Sequence, residues 1–366
     1  MQSFKDVLLQ LVRLGIGTSK VAKIPKDIDW EAVEALAEKQ GTLGVVYDGA
    51  IRLAEIADNA DFFPLAVKLR WLGKVMQGYE RRYALYRKAV ADLATWYQAH
   101  GYRMMLLKGL ACGVDWPKPE HRPYGDIDIW LFGQQEAADK EMVEEFEGFK
   151  IDDSHHHHTV FQWQGFTVEN HFDFGNVYHH KSSVKLEAIF KELADDGLPL
   201  FDYSFQPTAN LHALFLLKHS MTDFAAFYVT LRQVLDWGFF VKAHGKEVDW
   251  VWLEGVLREY HMLDFFNVLN AICVEDLGFC LVESLESRVE SQLKSVEFRE
   301  LKERVLNDIL KPEFTRSSPK KIIPRLMHKY RRWKKNEWKH KMCYNESMWS
   351  AFWSGVRLHL IKPASI

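Results

Sequence analysis

The spacing of apolar residues changes along the chain and predicts where helices give way to strands. Up to about residue 100, apolar positions recur at intervals of three and four, the spacing of amphipathic helices. Asp29 is a predicted N-cap for the segment WEAVEALAEKQ, Gly41 is its predicted end, and Pro64 suits the first turn of a later helix. Residues 1–100 are therefore predicted to form an N-terminal helical region.

A different pattern begins after residue 101. The short apolar runs RMMLLKG and DIDIWLF are followed by HHHHTVFQWQG and FTVENHFDF, with Gly165 at a predicted hairpin turn. A helical turn with a Pro-rich loop separates the first two runs, and a charged amphipathic helix separates the second from the third. This order predicts a small α/β unit, placed at residues 101–205, and the helical period returns over residues 206–310.

Composition narrows the class of protein. The 366 residues are 48% apolar, enough for a sizeable core, and the four cysteines form no CxxC pair. The first residues are amphipathic and interrupted by Lys5 and Arg13, unlike a secretory signal. No apolar run approaches the roughly 20 residues of a membrane-spanning helix. We expect a reduced, cytoplasmic protein.

Charge is distributed unevenly, because residues 311–366 form a basic, aromatic-rich tail. Residues 311–341 hold 12 Lys or Arg and 2 Asp or Glu, whereas the whole chain has a net charge of −3. The tail has three alternative interpretations: it contacts RNA, it lies on an anionic membrane, or it docks on the acidic remainder of the protein. Docking is favoured, because Trp349, Phe352 and Trp353 would otherwise be exposed.

Two carboxylates one residue apart carry the main chemical signal. On a strand, Asp126 and Asp128 share one face, about 6.6 Å apart at their Cβ atoms, while Ile127 and Ile129 face the core. Two such carboxylates repel each other, and a hard cation such as Mg²⁺ relieves the repulsion because it prefers oxygen ligands. The simpler alternative is a solvated strand on which Asp and Ile alternate.

The surrounding motif resembles the nucleotidyltransferase superfamily of the DNA polymerase β type. More narrowly, the chain resembles the family of uncharacterised nucleotidyltransferases over roughly residues 28–270. The motifs that carry this resemblance are LLKGLA (106–111), RPYGDIDIWL (122–131), VENHF (168–172), LLKH (216–219) and LRQVLDW (231–237). It implies an α/β (α+β) fold, a nucleotidyltransferase-like core with a small mixed sheet, flanked by helical regions on both sides.

The resemblance also implies roles for particular residues. Asp126 and Asp128 would bind Mg²⁺, with Mn²⁺ as an alternative, and Glu169 would supply the third catalytic carboxylate. Asp173 is the runner-up for that third position, because Thr167, Glu169, His171 and Asp173 share one strand face. The residues implied to bind the nucleotide are Lys108, Gly109, Arg122 and Gly125.

One departure from the superfamily pattern keeps two functions open. Leu110 stands where many members have a serine that contacts phosphate. The first hypothesis is an enzyme that transfers a nucleoside monophosphate from an NTP, such as ATP, to an unidentified acceptor. We expect this acceptor to be a small molecule. The alternative is a catalytically inactive protein of the same fold with a binding or regulatory role. The sequence leaves the acceptor and the oligomeric state open.

Other polar residues have two interpretations each. Arg122 could bind phosphate or form a structural ion pair. His155–His158 could bind Zn²⁺ or Ni²⁺, although exposed histidines at the start of a strand are favoured.

His212 and His219 share a helix face that could border the nucleotide, but a packing role is favoured. Arg232 and Asp236 are predicted to form a structural i,i+4 pair.

Overall fold

The computed structural model describes residues 4–25, 27–56, 63–177, 180–194, 196–311 and 322–345, and positions 347, 349 and 353. Its N-terminal region is helical, as the apolar spacing predicts. A π-helical turn, Met76–Glu80, connects the last two helices of this region. The helices are α1 (Phe4–Ile16), α2 (Trp30–Gln40), α3 (Leu43–Ile56), α4 (Leu65–Val75) and α5 (Arg81–Ala99).

The boundaries predicted for α2 are confirmed. The Asp29 side chain accepts a hydrogen bond from the Ala32 N–H at 2.9 Å. Gly41 ends the helix with a φ of 66°, a conformation that glycine adopts without the steric cost of a side chain. Pro64 immediately precedes α4. Local capping chemistry therefore fixes both ends of α2, and Pro64 marks the start of α4.

The α/β unit is a mixed sheet of six strands within the described residues, in the order β3-β4-β2-β1-β6-β5. Strands β2 and β4 are parallel, as are β1 and β6, and the other neighbouring pairs are antiparallel. The hairpin between β3 and β4 turns at Gln164 and Gly165, both with positive φ, as predicted for Gly165. The strands are β1 (Met104–Leu106), β2 (Ile127–Trp130), β3 (His158–Trp163), β4 (Phe166–His171), β5 (Gly197–Pro199) and β6 (Ser204–Pro207).

Helices follow the strands on both sides of the sheet. Within the unit lie α6 (Leu110–Gly113), α7 (Gln135–Glu145) and α8 (Lys181–Leu193), and a 3-10 turn spans Pro119–His121. The second helical region contains α9 (Ala209–Ala226), α10 (Leu231–His244), α11 (Trp250–Glu259), α12 (Leu263–Ala271), α13 (Glu283–Leu293) and α14 (Val296–Ile309). The described part of the tail adds α15 (Ile322–Lys335) and α16 (Glu337–Cys343).

Strand β2 separates two apolar cores. Ile127 and Ile129 pack with residues of α5 and α7 in one core, whereas Trp130 belongs to the core formed by the helical regions. Because side chains alternate along a strand, Asp128 lies on the same face as Trp130. The sheet thus directs Asp128 toward the helical region, and the predicted inward orientation of Ile127 and Ile129 is confirmed.

The C-terminal part of the basic tail packs on the helical region. The Asn336 side chain donates to the Ala226 carbonyl at 3.0 Å, and the buried Lys339 Nζ donates to the Phe227 carbonyl at 2.9 Å and pairs with Asp308. These contacts agree with docking, but burial of the aromatic residues does not explain it. Trp349 and Trp353 are 53% and 61% exposed, and Phe352 lies outside the described residues.

None of the described helices has the length and apolar character that crossing a lipid bilayer requires.

Candidate active site

Asp128 and Glu169 lie side by side on neighbouring parallel strands. The register of β2 with β4 sets Asp128 opposite Glu169 and Trp130 opposite His171. Paired residues of adjacent strands present their side chains on the same face of the sheet, so the two carboxylates point to the same side. Asp128 is buried, and Glu169 is partly buried. The sheet brings together two of the three acidic residues predicted for the site.

Lys108 supplies a positive charge beside these carboxylates. It follows β1, and its Nζ lies 2.7 Å from Asp128 Oδ1. Burial by itself would raise the pKa of Asp128, but the Lys108 charge and His171 outweigh it and hold that pKa well below its usual range. Asp128 is therefore ionised at neutral pH and already has one cationic partner.

Asp126 borders the same space but is more exposed. Its carbonyl oxygen accepts a hydrogen bond from Tyr86 Oη at 2.9 Å, which fixes the backbone just before β2. Partial burial raises the pKa of the Asp126 carboxyl, and the negative charges of Glu169 and Asp128 raise it further. The negative charges of three carboxylates thus lie near one another, and the neighbouring cations neutralise them only in part. A divalent cation would relieve the remaining repulsion.

The turn after β1 depends on a glycine. Gly109 has a φ of 64°, and a Cβ at this position would lie 2.3 Å from Tyr86 Oη. Only glycine fits both the backbone conformation and the space. Leu110, the residue in place of the usual serine, is buried in the core of the α/β unit. The turn therefore offers Lys108 and backbone groups, but no hydroxyl, to a ligand.

A cavity of about 190 Å³ connects these groups to the second helical region. One wall comes from the α/β unit and the other from α9 and α10, so the site lies between the two regions. The lining residues are Lys108, Gly109, Cys112, Arg122, Gly125, Asp126, Asp128, Leu216, His219, Ser220, Arg232, Gln233 and Asp236. All four residues predicted to bind nucleotide are among them.

Arg122 takes part in an ion pair at this cavity. Its Nε and Nη2 donate to the two carboxylate oxygens of Asp236 at 2.8 and 2.9 Å. Trp116 Nε1 donates to Asp236 Oδ1 at 2.9 Å. Of the two interpretations left open for Arg122, the structural ion pair is therefore present in the folded chain. Arg232 and Asp236 attract each other electrostatically, but the direct i,i+4 ion pair predicted between them is not formed, and Arg122 is the cation that contacts Asp236.

Arg232 is the cation that the sequence analysis did not assign to the site. It lies in the first turn of α10 and makes no hydrogen bond or ion pair with the described residues. Burial lowers the pKa of Arg232, and the positive charge of Arg122 lowers it further, while Asp236 and Asp223 act in the opposite direction. A second cation at a helix N-terminus is electrostatically unfavourable, and these carboxylates offset the cost only in part, because the pKa stays lowered. Arg232 could have been noted in the sequence, because it lies four residues before Asp236 on the same face of α10.

His171 is a second residue that the sequence analysis did not assign to the site. Its Nε2 lies 3.5 Å from Asp128 Oδ1 and 3.7 Å from Glu169 Oε2. Burial by itself would lower the pKa of His171, but the two carboxylates raise it. Burial likewise raises the pKa of Glu169, and His171 more than offsets this, so that the pKa is lowered. His171 therefore helps to keep both carboxylates ionised. His171 could have been identified from the sequence, because it shares a strand face with Glu169.

The donor set fits a divalent cation. Ligand atoms of Asp128, Glu169 and His171 lie within 4.8 Å of one another. The buried Nε2 of His171 makes no hydrogen bond to the described residues, and only the Lys108 ion pair partners Asp128 Oδ1 at short range. Asp126 lines the cavity without belonging to this group of three. The predicted runner-up, Asp173, pairs with Lys191 instead.

The fold and the paired acidic strands define a nucleotidyltransferase-like protein, and a comparison with known families agrees. Residues 26–277, more than half of the chain, match a family described as uncharacterised nucleotidyltransferase. The chain therefore belongs to that family. A search of curated proteins found no match, and a search of solved structures found none.

Proposed function

We propose that the protein is a Mg²⁺-dependent nucleotidyltransferase that moves a nucleoside monophosphate from an NTP, with ATP as the first candidate, to a small-molecule acceptor. The observation that carries this proposal is the register of Asp128 with Glu169 on parallel strands, with Asp126 and Lys108 beside them. In this proposal Asp126, Asp128 and Glu169 would hold Mg²⁺ or Mn²⁺. The bound ion would supply charge neutralisation at the reacting phosphate.

The cations of the cavity support the proposal of phosphate binding. Lys108 Nζ lies on one wall and the Arg232 guanidinium on the other, so a polyphosphate between them would meet positive charge on both sides. Gly125 has open space around it, which leaves room for close approach. The cavity, at about 190 Å³, is smaller than the roughly 300–1,000 Å³ of typical ligand pockets. It therefore suits the phosphates, with the base and the acceptor outside it.

The reaction would break the bond between the α-phosphorus and its bridging oxygen and form a bond from the acceptor oxygen to that phosphorus. Pyrophosphate would leave. Glu169 is ionised because its pKa is lowered, so its Oε2 can accept the proton of the acceptor hydroxyl. Lys108 and Arg232 would orient the phosphates, and positioning would account for most of the rate.

The test combines binding and turnover. Equilibrium dialysis with labelled ATP should show binding that Mg²⁺ strengthens, and pyrophosphate release should follow once a pool of hydroxyl-bearing metabolites supplies the acceptor. Asp126→Asn plus Asp128→Asn should remove the Mg²⁺ effect and the release. Asp173→Asn is the matched control, because this carboxylate pairs with Lys191 outside the cavity. Full turnover in the double variant would refute the proposal.

One observation favours the alternative of an inactive binding protein. Lys108 already neutralises Asp128 at 2.7 Å, and Leu110 offers no hydroxyl to a phosphate. If the folded protein binds neither ATP nor Mg²⁺ at millimolar ligand, the alternative is supported. The same dialysis experiment makes this check before any acceptor is known.

A further inference from the structure

Three histidines meet beside the candidate active site. His157 and His158 lie at the start of β3, and His158 is opposite His171 of β4 in the antiparallel register. The ring centroids of His157 and His158 are 4.2 Å apart, and those of His158 and His171 are 5.1 Å apart. One ligand atom of each histidine lies within 4.8 Å of the other two.

Three buried ring nitrogens of this group lack a hydrogen bond. Nδ1 of His157, Nδ1 of His158 and Nε2 of His171 make none within the described part of the chain, although carboxylate oxygens lie 3.5–3.9 Å from the last two. His158 and His171 are only 6% and 4% exposed. Buried polar atoms in folded proteins nearly always have a partner, so three such atoms in one place require an explanation.

His171 is oriented as metal-binding histidines usually are. Its Nδ1 donates to the Asp173 carbonyl at 3.2 Å, which leaves Nε2, 3.5 Å from Asp128 Oδ1 and 3.7 Å from Glu169 Oε2, as the nitrogen that a metal could take once it has lost its proton. Such a hydrogen bond to a backbone carbonyl fixes the tautomer and the ring orientation of a metal ligand. The arrangement therefore provides a ligand set and part of its supporting shell.

We propose that His157, His158 and His171 form a second cation site, for a transition metal of the Zn²⁺ type. Imidazole nitrogens suit Zn²⁺ and its neighbours, whereas Mg²⁺ prefers oxygen. Zn–N distances of about 2.0–2.1 Å require small ring rotations that bring the three nitrogens closer than they are here. Glu169 Oε2, 3.7 Å from His171 Nε2 and 3.9 Å from His158 Nδ1, lies within reach of the fourth position.

This site shares His171 and Glu169 with the carboxylate site, and His157 and His158 are the donors that it adds. It ties the start of β3 to the end of β4, while the carboxylate site opens into the cavity. It can be tested without nucleotidyl transfer, because metal binding by His157 and His158 is measured directly. A metal there would hold Glu169 next to the nitrogen ligands and so limit its freedom at the carboxylate site.

The test uses the full chain without a purification tag, stripped with a chelator and titrated with Co²⁺ and then Zn²⁺. Metal content after desalting and the visible absorption of bound Co²⁺ are the readouts. The wild type should retain about one Zn²⁺ per chain. His157→Gln, at a partly exposed position, and His171→Gln should each weaken binding at least about 10-fold. Melting curves of the metal-free variants check that they are folded.

Two control variants make the result decisive. His155→Gln changes a histidine of the same run that faces Asp152 and stacks on His158 but lies outside the group of three, so binding should fall much less than in His157→Gln. Asp126→Asn should leave Zn²⁺ binding unchanged. Equal losses in His155→Gln and His157→Gln with none in His171→Gln would show simple chelation by the histidine run and overturn the proposal. So would loss of Zn²⁺ in Asp126→Asn, or a wild type that binds no Zn²⁺.

Discussion

Arg122 of the α/β unit and Asp236 of α10 form a bidentate ion pair, with both hydrogen bonds between 2.8 and 2.9 Å and both side chains buried. The pair crosses the boundary between the two regions that line the cavity. Removing one partner would leave the other charge buried without compensation. Arg122 is therefore a structural residue before it is a ligand-binding one.

The first prediction follows from this pair. Arg122→Ala should lower the free energy of unfolding by about 3–5 kcal/mol, because Asp236 keeps its charge in a buried site. The additional change Asp236→Ala should restore part of the loss. Urea denaturation of the two variants and the wild type measures both effects. Equal stability of Arg122→Ala and wild type would show that the pair is absent in solution.

Arg232 should respond in the opposite way. It has no ion-pair partner among the described residues and borders the cavity, so Arg232→Ala should change stability little. Loss of a charge-assisted hydrogen bond should weaken ATP binding about 10- to 100-fold. Calorimetric titration with a non-hydrolysable ATP analogue gives the affinity. Unchanged affinity would remove Arg232 from the proposed phosphate site.

The glycine turn predicts a contrast between two glycines. Gly109→Ala would force a Cβ to within 2.3 Å of Tyr86 Oη at a positive φ, which would displace Tyr86 from the Asp126 carbonyl. Gly125 has open space around it, so Gly125→Ala should fold normally. We expect a lower melting temperature in Gly109→Ala only, and ATP binding should be lost with it. Similar melting temperatures for both variants would contradict the close contact.

Glu187 of α8 predicts a pH dependence of stability. Burial raises the pKa of Glu187 from 4.5 to about 7, and the charge of Asp173 adds to the effect. The folded state then holds a proton that the unfolded state has lost, so stability falls as the pH rises from about 4.5 to about 7. The full loss is roughly 3 kcal/mol.

Glu187→Gln provides the measurement. The amide oxygen can still accept the hydrogen bond that the Phe174 N–H makes to Glu187 at 2.9 Å, but it carries no charge. The variant should be more stable than wild type above pH 7 and equally stable near pH 4.5 in denaturation experiments. A stability difference that does not vary with pH would show that Glu187 is ionised throughout.

The docked tail makes a fifth prediction. Lys339 is 2% exposed and pairs with Asp308, whereas the Lys341 side chain is 72% exposed. Lys339→Met should lower the free energy of unfolding by about 1–3 kcal/mol, because the Phe227 carbonyl and Asp308 lose a partner. Lys341→Met should have little effect. Thermal melts of both variants at two salt concentrations would reveal a tail that is undocked, since the two would then behave alike.

Local patterns predicted the elements that local chemistry determines. The N-cap at Asp29, the turn at Gly165 and the alternation around Asp128 depend on nearby residues, and the sequence indicates all three. Strands β5 and β6 were not predicted, because they are short and contain residues disfavoured in strands, among them Gly197, Pro199 and Pro207.

Only the site residues on the strands were predictable from the sequence. Alternation and the family resemblance indicated Asp128 and Glu169, which the sheet brings together. The partner of Arg122 was not predictable, because Asp236 is 114 residues away and Arg232 is a nearer candidate by sequence. The same long-range packing leaves Arg232 free to face the cavity. Tertiary contacts thus decide which cation is structural and which is available to a ligand.

Because the cavity has one wall from the α/β unit and one from α9 and α10, a ligand that spans it acts as a cross-link between distant parts of the chain. Its binding free energy adds to the stability of the folded state, by about 2.7 kcal/mol at a concentration 100 times the dissociation constant. A shift in melting temperature would therefore report any compound that reaches both Lys108 and Arg232. A library of nucleotides and candidate acceptors can be screened in this way before the reaction product is identified.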